Sequence, residues 1–168
     1  MRFPNDIAEL ADKVLFAYRH KKKRIVTAES CTGGLVAAAL TSIAGSSDVF
    51  ERGFVSYSYD SKTDLLGVEP EVIRQFGVVS PEVAEAMAQG ALDYSLADCA
   101  LSVTGIAGPG GGLPNKPVGL VYFGVATREG VCFHVQALFQ GDRDAVRLQC
   151  MIEGLTLLHS LVVEGGTL

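Results

Sequence analysis

Length, composition and charge exclude several classes of protein. The chain has 168 residues, of which 48% are hydrophobic and 20% are charged, and this composition argues against extended disorder. A chain of this length buries about 70% of its unfolded surface in one core, so we expect a single domain over residues 1–168. The net charge of −5 disfavours nucleic acid as a partner, and the longest apolar runs are shorter than the ~20 residues of a membrane span.

The N-terminal segment and the cysteines bear on location and metal content. The first residues include acidic side chains and lack the apolar region and cleavage site of a secretory signal. The four cysteines are too far apart for a zinc or redox motif, so we expect reduced thiols. We therefore expect a cytoplasmic protein without a membrane partner and without a metal site.

The first quarter of the chain predicts two helices around a short strand. Apolar residues recur at helical spacing over residues 5–19, which predicts an amphipathic helix. "RIVTA" at 24–28 has the composition of a buried strand, and a second helix is expected to begin at Gly33 and Gly34. Gly45 stands where a helix C-terminal cap is expected.

The next segments alternate between strand and helix patterns. "GFVSYSY" at 53–59 favours a strand, and Asp60 is a good N-cap for the short segment that follows. This assignment places Tyr57 near a strand end and Lys62 in the following turn. Residues 80–98 form the clearest helical pattern, because Ser80 can cap it and a proline occupies the first helical position.

The last third of the chain predicts a hairpin and a closing helix. "CALSVTG" at 99–105 is typical of a buried strand and leads into a loop that is rich in glycine and proline. Two further strand patterns, at 118–127 and 131–139, are joined by a turn and imply antiparallel pairing. A long helix is expected from the cap Asp142. The order of elements predicts an α/β fold with three α/β/α layers and a mixed sheet that contains this C-terminal antiparallel hairpin.

Ser30 is the first candidate nucleophile, because it follows a strand and precedes a turn of small residues. The N–H groups of Thr32, Gly33 and Gly34 lie at a predicted helix N-terminus, where such donors can bind an oxyanion or a phosphate. The residues also fit a tight turn without chemistry. Cys31 is adjacent and intrinsically more nucleophilic, but no histidine partner is indicated for it.

A serine nucleophile needs a base, and the histidines offer little. His20, His134 and His159 do not fall beside a glycine-rich turn, which disfavours a Ser-His-Asp triad. Lys62 with Tyr57 is the alternative, because a desolvated lysine with a lowered pKa can take a serine proton directly or through a tyrosine hydroxyl. From spacing alone, a surface lysine and a half-buried tyrosine fit as well.

Two arginines and a loop are candidates for anion binding. Arg143 and Arg147 are four residues apart at the start of the last predicted helix and would share a face, where guanidinium and helix dipole favour an anion. A pair of surface charges fits the same pattern. The loop at 105–112 lacks the spacing of a nucleotide-binding glycine motif.

Five ordered segments resemble the CinA C-terminal domain family of nicotinamide mononucleotide (NMN) amidohydrolases, also known as competence/damage-inducible proteins. The chain is similar to the stand-alone form of the family, and the resemblance covers nearly its whole length. The segments are "TAESCTGG" at 27–34, "ERGFVSYSYDSK" at 51–62, "SVTGIAGPGGG" at 102–112, "KPVGLVYFGVA" at 116–126 and "GDRDAVR" at 141–147.

The resemblance implies an activity and a set of residue roles. The activity is hydrolysis of the NMN carboxamide within pyridine nucleotide salvage, with a mononucleotide as the small-molecule substrate and with no metal or cofactor, in a dimer or higher homo-oligomer. The alternative is a regulatory module that binds a nucleotide without turnover in competence or DNA damage. The implied roles are nucleophile for Ser30, activating pair for Tyr57 and Lys62, and substrate contacts for Thr104, Gly105 and Arg143.

One departure from the family pattern leaves an assignment open. Tyr59 stands where relatives vary and could compete with Tyr57 for the pocket. The choice of base between Tyr57 and Lys62 also stays open at the level of sequence.

Overall fold

The computed structural model describes residues 3–163 as one α/β fold. This part of the chain contains five strands and six α-helices, with a single 3₁₀ turn at Ser46–Asp48. In chain order the elements are α1 (Asn5–Lys21), β1 (Ile25–Glu29), α2 (Leu35–Thr41), β2 (Phe50–Val55), α3 (Tyr59–Leu66), α4 (Pro70–Phe76), α5 (Pro81–Asp93), β3 (Cys99–Gly105), β4 (Leu120–Thr127), β5 (Cys132–Leu138) and α6 (Arg143–Val163).

The sheet is mixed, as the sequence predicts. Its strand order is β2-β1-β3-β4-β5, with β1 parallel to both β2 and β3. The last two strands form the predicted antiparallel hairpin, and β4 is also antiparallel to β3. The carboxyl ends of β1, β2 and β3 therefore meet at one edge of the sheet, which is where open α/β sheets place their ligands.

Helices cover both faces of the sheet and make the three predicted layers. On one face α1, α2 and α6 pack together, and their core includes Leu15, Leu40 and Leu158. On the other face α3 and α4 pack against α5, whose Met87 lies beside Leu66 in a second core cluster. Every residue of β1 is buried, as expected for a central strand that is covered on both sides.

Several element boundaries differ from the sequence prediction. Ser42, not Gly45, is the C-cap of α2, because Gly45 (φ 78°) instead begins the 3₁₀ turn. Ser58, not Asp60, caps α3, since its hydroxyl accepts a hydrogen bond from the N–H of Ser61 at 3.2 Å. Lys62 consequently lies inside a helix and not in a turn. The strand predicted at 53–59 is Phe50–Val55, and the helix predicted at 80–98 ends at Asp93. The predictions of α1, β1, β3, the Ser80 cap of α5 and the Asp142 cap of α6 are confirmed.

The closing helix α6 is long and apolar, although the sequence predicts no membrane span. By length and composition alone, Arg143–Val163 could cross a membrane. In this fold half of its most apolar stretch is buried, because the helix packs against α1, α2 and the sheet. The buried half of this stretch is thus explained by the protein core.

Candidate active site

Residues from five separate segments surround a cleft at the carboxyl edge of β1, β2 and β3. The cleft has a volume of about 420 Å³ and is closed on one side by the glycine-rich loop after β3. All three residues predicted to be catalytic line it, as do three of those predicted to bind substrate. These six residues are Ser30, Tyr57, Lys62, Thr104, Gly105 and Arg143.

Ser30 and Lys62 are in direct contact in the cleft. The Lys62 ammonium donates a hydrogen bond to Ser30 Oγ at 3.1 Å and another to the Ser56 carbonyl at 2.8 Å. Lys62 is only 1% exposed, and this burial lowers its pKa from the usual 10.5 to about 8. A buried lysine whose pKa is lowered in this way and whose amine touches a serine hydroxyl can accept the proton of that hydroxyl.

The fold around β2 explains why a lysine is buried here. The N–H of Ser56 bonds to the Glu29 carbonyl at 2.9 Å, which continues the pairing of β1 and β2 up to the cleft. The chain then enters α3 at Tyr59. Lys62 and Leu66 are four residues apart on α3 and both are buried, so the face of α3 that fills the core also carries the ammonium to the serine.

Tyr57 is paired with Arg143 and not with the serine. Arg143 Nη2 donates to the Tyr57 hydroxyl at 2.9 Å, and Arg143 Nη1 donates to the carbonyl of Gly108 at 2.7 Å. Tyr57 is 59% exposed at the cleft mouth. Between the two bases that the sequence leaves open, the geometry therefore favours Lys62, and it pairs Tyr57 with Arg143 at the cleft mouth.

The turn after Ser30 differs from the expectation of free helix N–H groups. The buried Glu29 carboxylate accepts hydrogen bonds from the N–H groups of Gly34, Val36 and Ala37 at 3.0, 3.1 and 2.8 Å. The Gly33 N–H bonds to the Ser30 carbonyl at 3.0 Å. Gly33 and Gly34 thus cannot offer free N–H groups to a ligand, and the expectation that they do so is wrong.

Thr32 also departs from its expected place. Thr32, Gly33 and Gly34 are absent from the cleft lining. The Thr32 side chain is fully buried, and its hydroxyl has no hydrogen-bond partner within the described residues. These three residues form the turn that presents Ser30, and of their N–H groups only that of Thr32 has no protein acceptor within the described residues.

Sequence reasoning missed Glu29. Its carboxylate satisfies three of the unpaired N–H groups at the start of α2, which has no capping side chain of the usual kind at Gly34. The sequence feature that could have indicated this role is an acidic residue shortly before a helix, because the helix dipole favours a negative charge at that end. The residue lies five to eight positions before its partners, however, so no cap motif reveals it.

Thr104 and Gly105 end β3 at the floor of the cleft. The Thr104 hydroxyl donates to the Val78 carbonyl at 2.6 Å and so fixes the segment before α5. A Cβ on Gly105 would lie 2.6 Å from the Val121 side chain and 2.9 Å from the Leu120 carbonyl, so β4 itself demands glycine there. Both residues shape the cleft, and the Thr104 hydroxyl is already committed to the protein.

The described residues provide neither a metal-binding cluster nor a histidine in the cleft. Residues 3–163 contain no group of three or more His, Cys, Asp or Glu that could hold a metal ion. His134 pairs with Glu85 at 2.7 Å, and the cleft lining includes no histidine. The side chains that line the cleft instead include those of a serine, a lysine, a tyrosine, an arginine and a cysteine.

The fold and the cleft together define an α/β domain that presents a serine hydroxyl bonded to a buried lysine at the carboxyl edge of its sheet. A model of the CinA C-terminal domain matches residues 7–162. The chain belongs to the CinA C-terminal domain family.

Similar proteins include short and long relatives. The chain is 47% identical over 154 residues to the nicotinamide-nucleotide amidohydrolase PncC of Escherichia coli, and the match covers 92% of this chain and 93% of that protein. It is 46% identical to a longer relative from Caldicellulosiruptor bescii that is named for competence and damage induction, but spans only 38% of that relative. The crystal structure of the competence/damage inducible protein CihA from Agrobacterium tumefaciens superposes with a TM-score of 0.93 at 47% identity, covering 96% of this chain and 98% of that one.

Proposed function

We propose that the protein hydrolyses the carboxamide of NMN to nicotinic acid mononucleotide and ammonia, as a cytoplasmic enzyme of pyridine nucleotide salvage. The observation that carries this proposal is the 3.1 Å hydrogen bond between Lys62 Nζ and Ser30 Oγ in a cleft that can hold a small molecule. The 47% identity to the amidohydrolase PncC over most of both chains supports the choice of substrate.

The first half of the reaction forms an acyl-enzyme. Neutral Lys62 takes the proton of Ser30 as Oγ attacks the carboxamide carbon, and the carbonyl oxygen becomes an oxyanion. When this intermediate collapses, the Lys62 ammonium returns the proton to the departing nitrogen. Ammonia leaves, and an ester now joins the pyridine carbonyl to Ser30.

The second half repeats the same proton transfers with water. Lys62, neutral again, takes a proton from a water molecule that attacks the ester carbon. Collapse of the second intermediate returns that proton to Ser30 Oγ and frees the carboxylate. The sum is one amide and one water consumed, with one carboxylate and one ammonium formed in neutral solution.

An ammonia assay separates this enzyme from a nucleotide-binding module. Purified protein is incubated with NMN in the presence of a chelator, and both products are measured. We expect ammonia and nicotinic acid mononucleotide in equal amounts. NMN that binds by calorimetry without any ammonia above the buffer control would favour the regulatory module linked to competence or DNA damage.

Arg143 is assigned to the phosphate of NMN, and this assignment predicts a difference between two substrates. A hydrogen bond to a charged group contributes about 1.5 to 3 kcal/mol, which corresponds to about 10- to 150-fold in kcat/KM. Arg143→Ala should therefore weaken turnover of NMN by that order and barely change turnover of nicotinamide riboside, which lacks the phosphate. Equal losses on both substrates would mean that Arg143 supports the loop through Gly108 and does not read the phosphate.

Tyr57 provides a separate prediction on the identity of the base. Its hydroxyl bonds to Arg143, not to Ser30 or Lys62, so Tyr57→Phe should retain most of kcat and change mainly KM for NMN. Steady-state kinetics on NMN checks this, with Tyr59→Phe as the matched control at the same cleft mouth. A fall in kcat of about 10²-fold or more, the size expected for loss of a general base, would mean that Tyr57 and not Lys62 is the general base.

The resemblance also suggests a homo-oligomer. We propose a dimer on that ground, and light scattering at working concentration tests it, because a monomeric mass would remove the proposal.

A further inference from the structure

Arg147 reaches from α6 to the backbone of the turn that carries the nucleophile. Its Nε donates to the Cys31 carbonyl at 3.2 Å and its Nη2 donates to the Thr32 carbonyl at 3.1 Å. The two donors of one planar guanidinium thus hold two successive carbonyls, which a lysine with a single ammonium cannot do in the same geometry. Arg147 itself is absent from the cleft lining.

These two bonds constrain the direction of two N–H groups in the turn, those of Thr32 and Gly33. A trans peptide is planar, and its carbonyl and N–H point in opposite directions. Because the Cys31 carbonyl faces Arg147, the N–H of Thr32 in the same peptide must point away from Arg147. The next peptide is fixed at both ends, since its Thr32 carbonyl faces Arg147 and its Gly33 N–H bonds to the Ser30 carbonyl.

Most N–H groups around the nucleophile are already committed. The N–H of Ser30 bonds to the Val103 carbonyl at 2.9 Å, and that of Leu35 bonds to the Thr32 carbonyl at 3.3 Å. Glu29 occupies the N–H groups at the start of α2, as described above. From Ser30 to Ala37, within the chain that the structure describes, two N–H groups remain without a protein acceptor, those of Cys31 and Thr32.

We propose that Arg147 is a positioning residue that orients this turn so that the N–H groups of Cys31 and Thr32 stabilise the oxyanion formed from the carboxamide. The proposal rests on the proposed amidase function. Buried N–H groups are almost always paired, and these two directly follow the attacking serine, which is where backbone oxyanion donors are commonly found. The positive charge on the carbonyl side of the Cys31–Thr32 peptide also polarises that peptide and makes its N–H a stronger donor.

This role differs from anion binding by Arg147, which the sequence pattern allows. An arginine that binds the phosphate would contribute to KM and only for a phosphorylated substrate. An arginine that orients oxyanion donors acts in the transition state and so lowers kcat equally for substrates with and without phosphate. Loss of one oxyanion donor costs about 10²- to 10³-fold in kcat, and a donor that is merely loosened should cost less.

The test compares Arg147→Ala and Arg147→Lys with the wild type on NMN and on nicotinamide riboside. We expect kcat to fall about 10- to 100-fold in the alanine variant on both substrates, with KM for NMN nearly unchanged. The lysine variant should recover only part of kcat, and added guanidinium should raise kcat of the alanine variant but not that of Ser30→Ala. Arg74→Ala is the matched control, because Arg74 is exposed and its partner among residues 3–163 is Glu71 on the same short helix, and it should behave as wild type.

Each contrary outcome has a distinct meaning. A rise in KM confined to NMN would overturn the proposal and assign Arg147 to the phosphate. An unchanged kcat would overturn it as well, and so would unfolding of both variants by circular dichroism at the assay temperature, since Arg147 would then support only the fold. A wild type that releases no ammonia would instead refute the amidase function itself, before any variant is compared.

Discussion

Ser30→Ala is expected to abolish NMN turnover while NMN still binds. Removing the nucleophile of a hydrolase that acts through an acyl-enzyme lowers kcat by about 10⁴-fold or more. The substitution deletes one oxygen at a site that is nearly buried, so the fold and the binding contacts should persist. Ammonia release measures the first effect, and calorimetry with NMN measures the second.

Cys31→Ala is the matched control for this prediction. Cys31 is the neighbouring residue, carries the more nucleophilic group and also lines the cleft, but its side chain is largely buried and bonds to Cys150. A hydrogen bond with Cys150 lowers the pKa of the Cys31 thiol, but the base Lys62 bonds to Ser30 Oγ and not to this thiol. We expect Cys31→Ala to retain most of its activity. If Cys31→Ala were inactive while Ser30→Ala remained active, the nucleophile would be Cys31 and the assignment of Ser30 would be wrong.

Lys62→Met is expected to have the second largest effect. Methionine has a similar length but no base, so kcat should fall by the roughly 10²- to 10⁴-fold that a general base contributes. Stability at pH 7 should be unchanged or higher, because the substitution removes a buried ammonium that has no carboxylate partner among the described residues. Loss of activity without loss of stability is measured by kinetics and by thermal unfolding, with exposed Lys13→Met as the control.

The lowered pKa of Lys62 gives a pH dependence with a definite sign. Only the neutral amine can act as a base, so kcat/KM should rise with pH and level off above about 8. Between about 8 and 10.5 the unfolded chain binds more protons at this lysine than the folded chain, so stability should increase with pH through this window. Lys62→Met should lack this increase. A profile of kcat/KM that is flat from pH 6 to 9 would exclude Lys62 as the base.

Much of the architecture could be predicted from periodicity and turn residues. The helical spacing of α1 and α5, the alternation in β5 and the cap residues Ser80 and Asp142 act within a few positions, so a single sequence contains their signal. The boundary near Asp60 could not be predicted, because Ser58 is an equally good N-cap. Near Gly45 the glycine adopts the expected left-handed conformation, but it begins a 3₁₀ turn after α2 has already ended at Ser42, and only tertiary packing decides this.

Less of the candidate site than of the fold could be predicted from the sequence. Ser30 and Lys62 are 32 positions apart, and nothing local indicates that the lysine is buried until α3 packs against the core. Arg143 and Arg147 share the start of α6, yet one faces the cleft and the other faces the backbone of the Ser30 turn. The spacing of four residues shows that they share a helix face, but it cannot separate these two contacts.

Labelling with a fluorophosphonate, which forms a covalent bond with activated serines, tests the central claim most directly. We predict that the reagent modifies Ser30 alone, as located by peptide mass spectrometry, that NMN protects Ser30 from labelling, and that Lys62→Met is labelled much more slowly. Protein that turns over NMN at the full rate while Ser30 stays unlabelled, or while the label lies on Cys31, would contradict a serine nucleophile activated by Lys62.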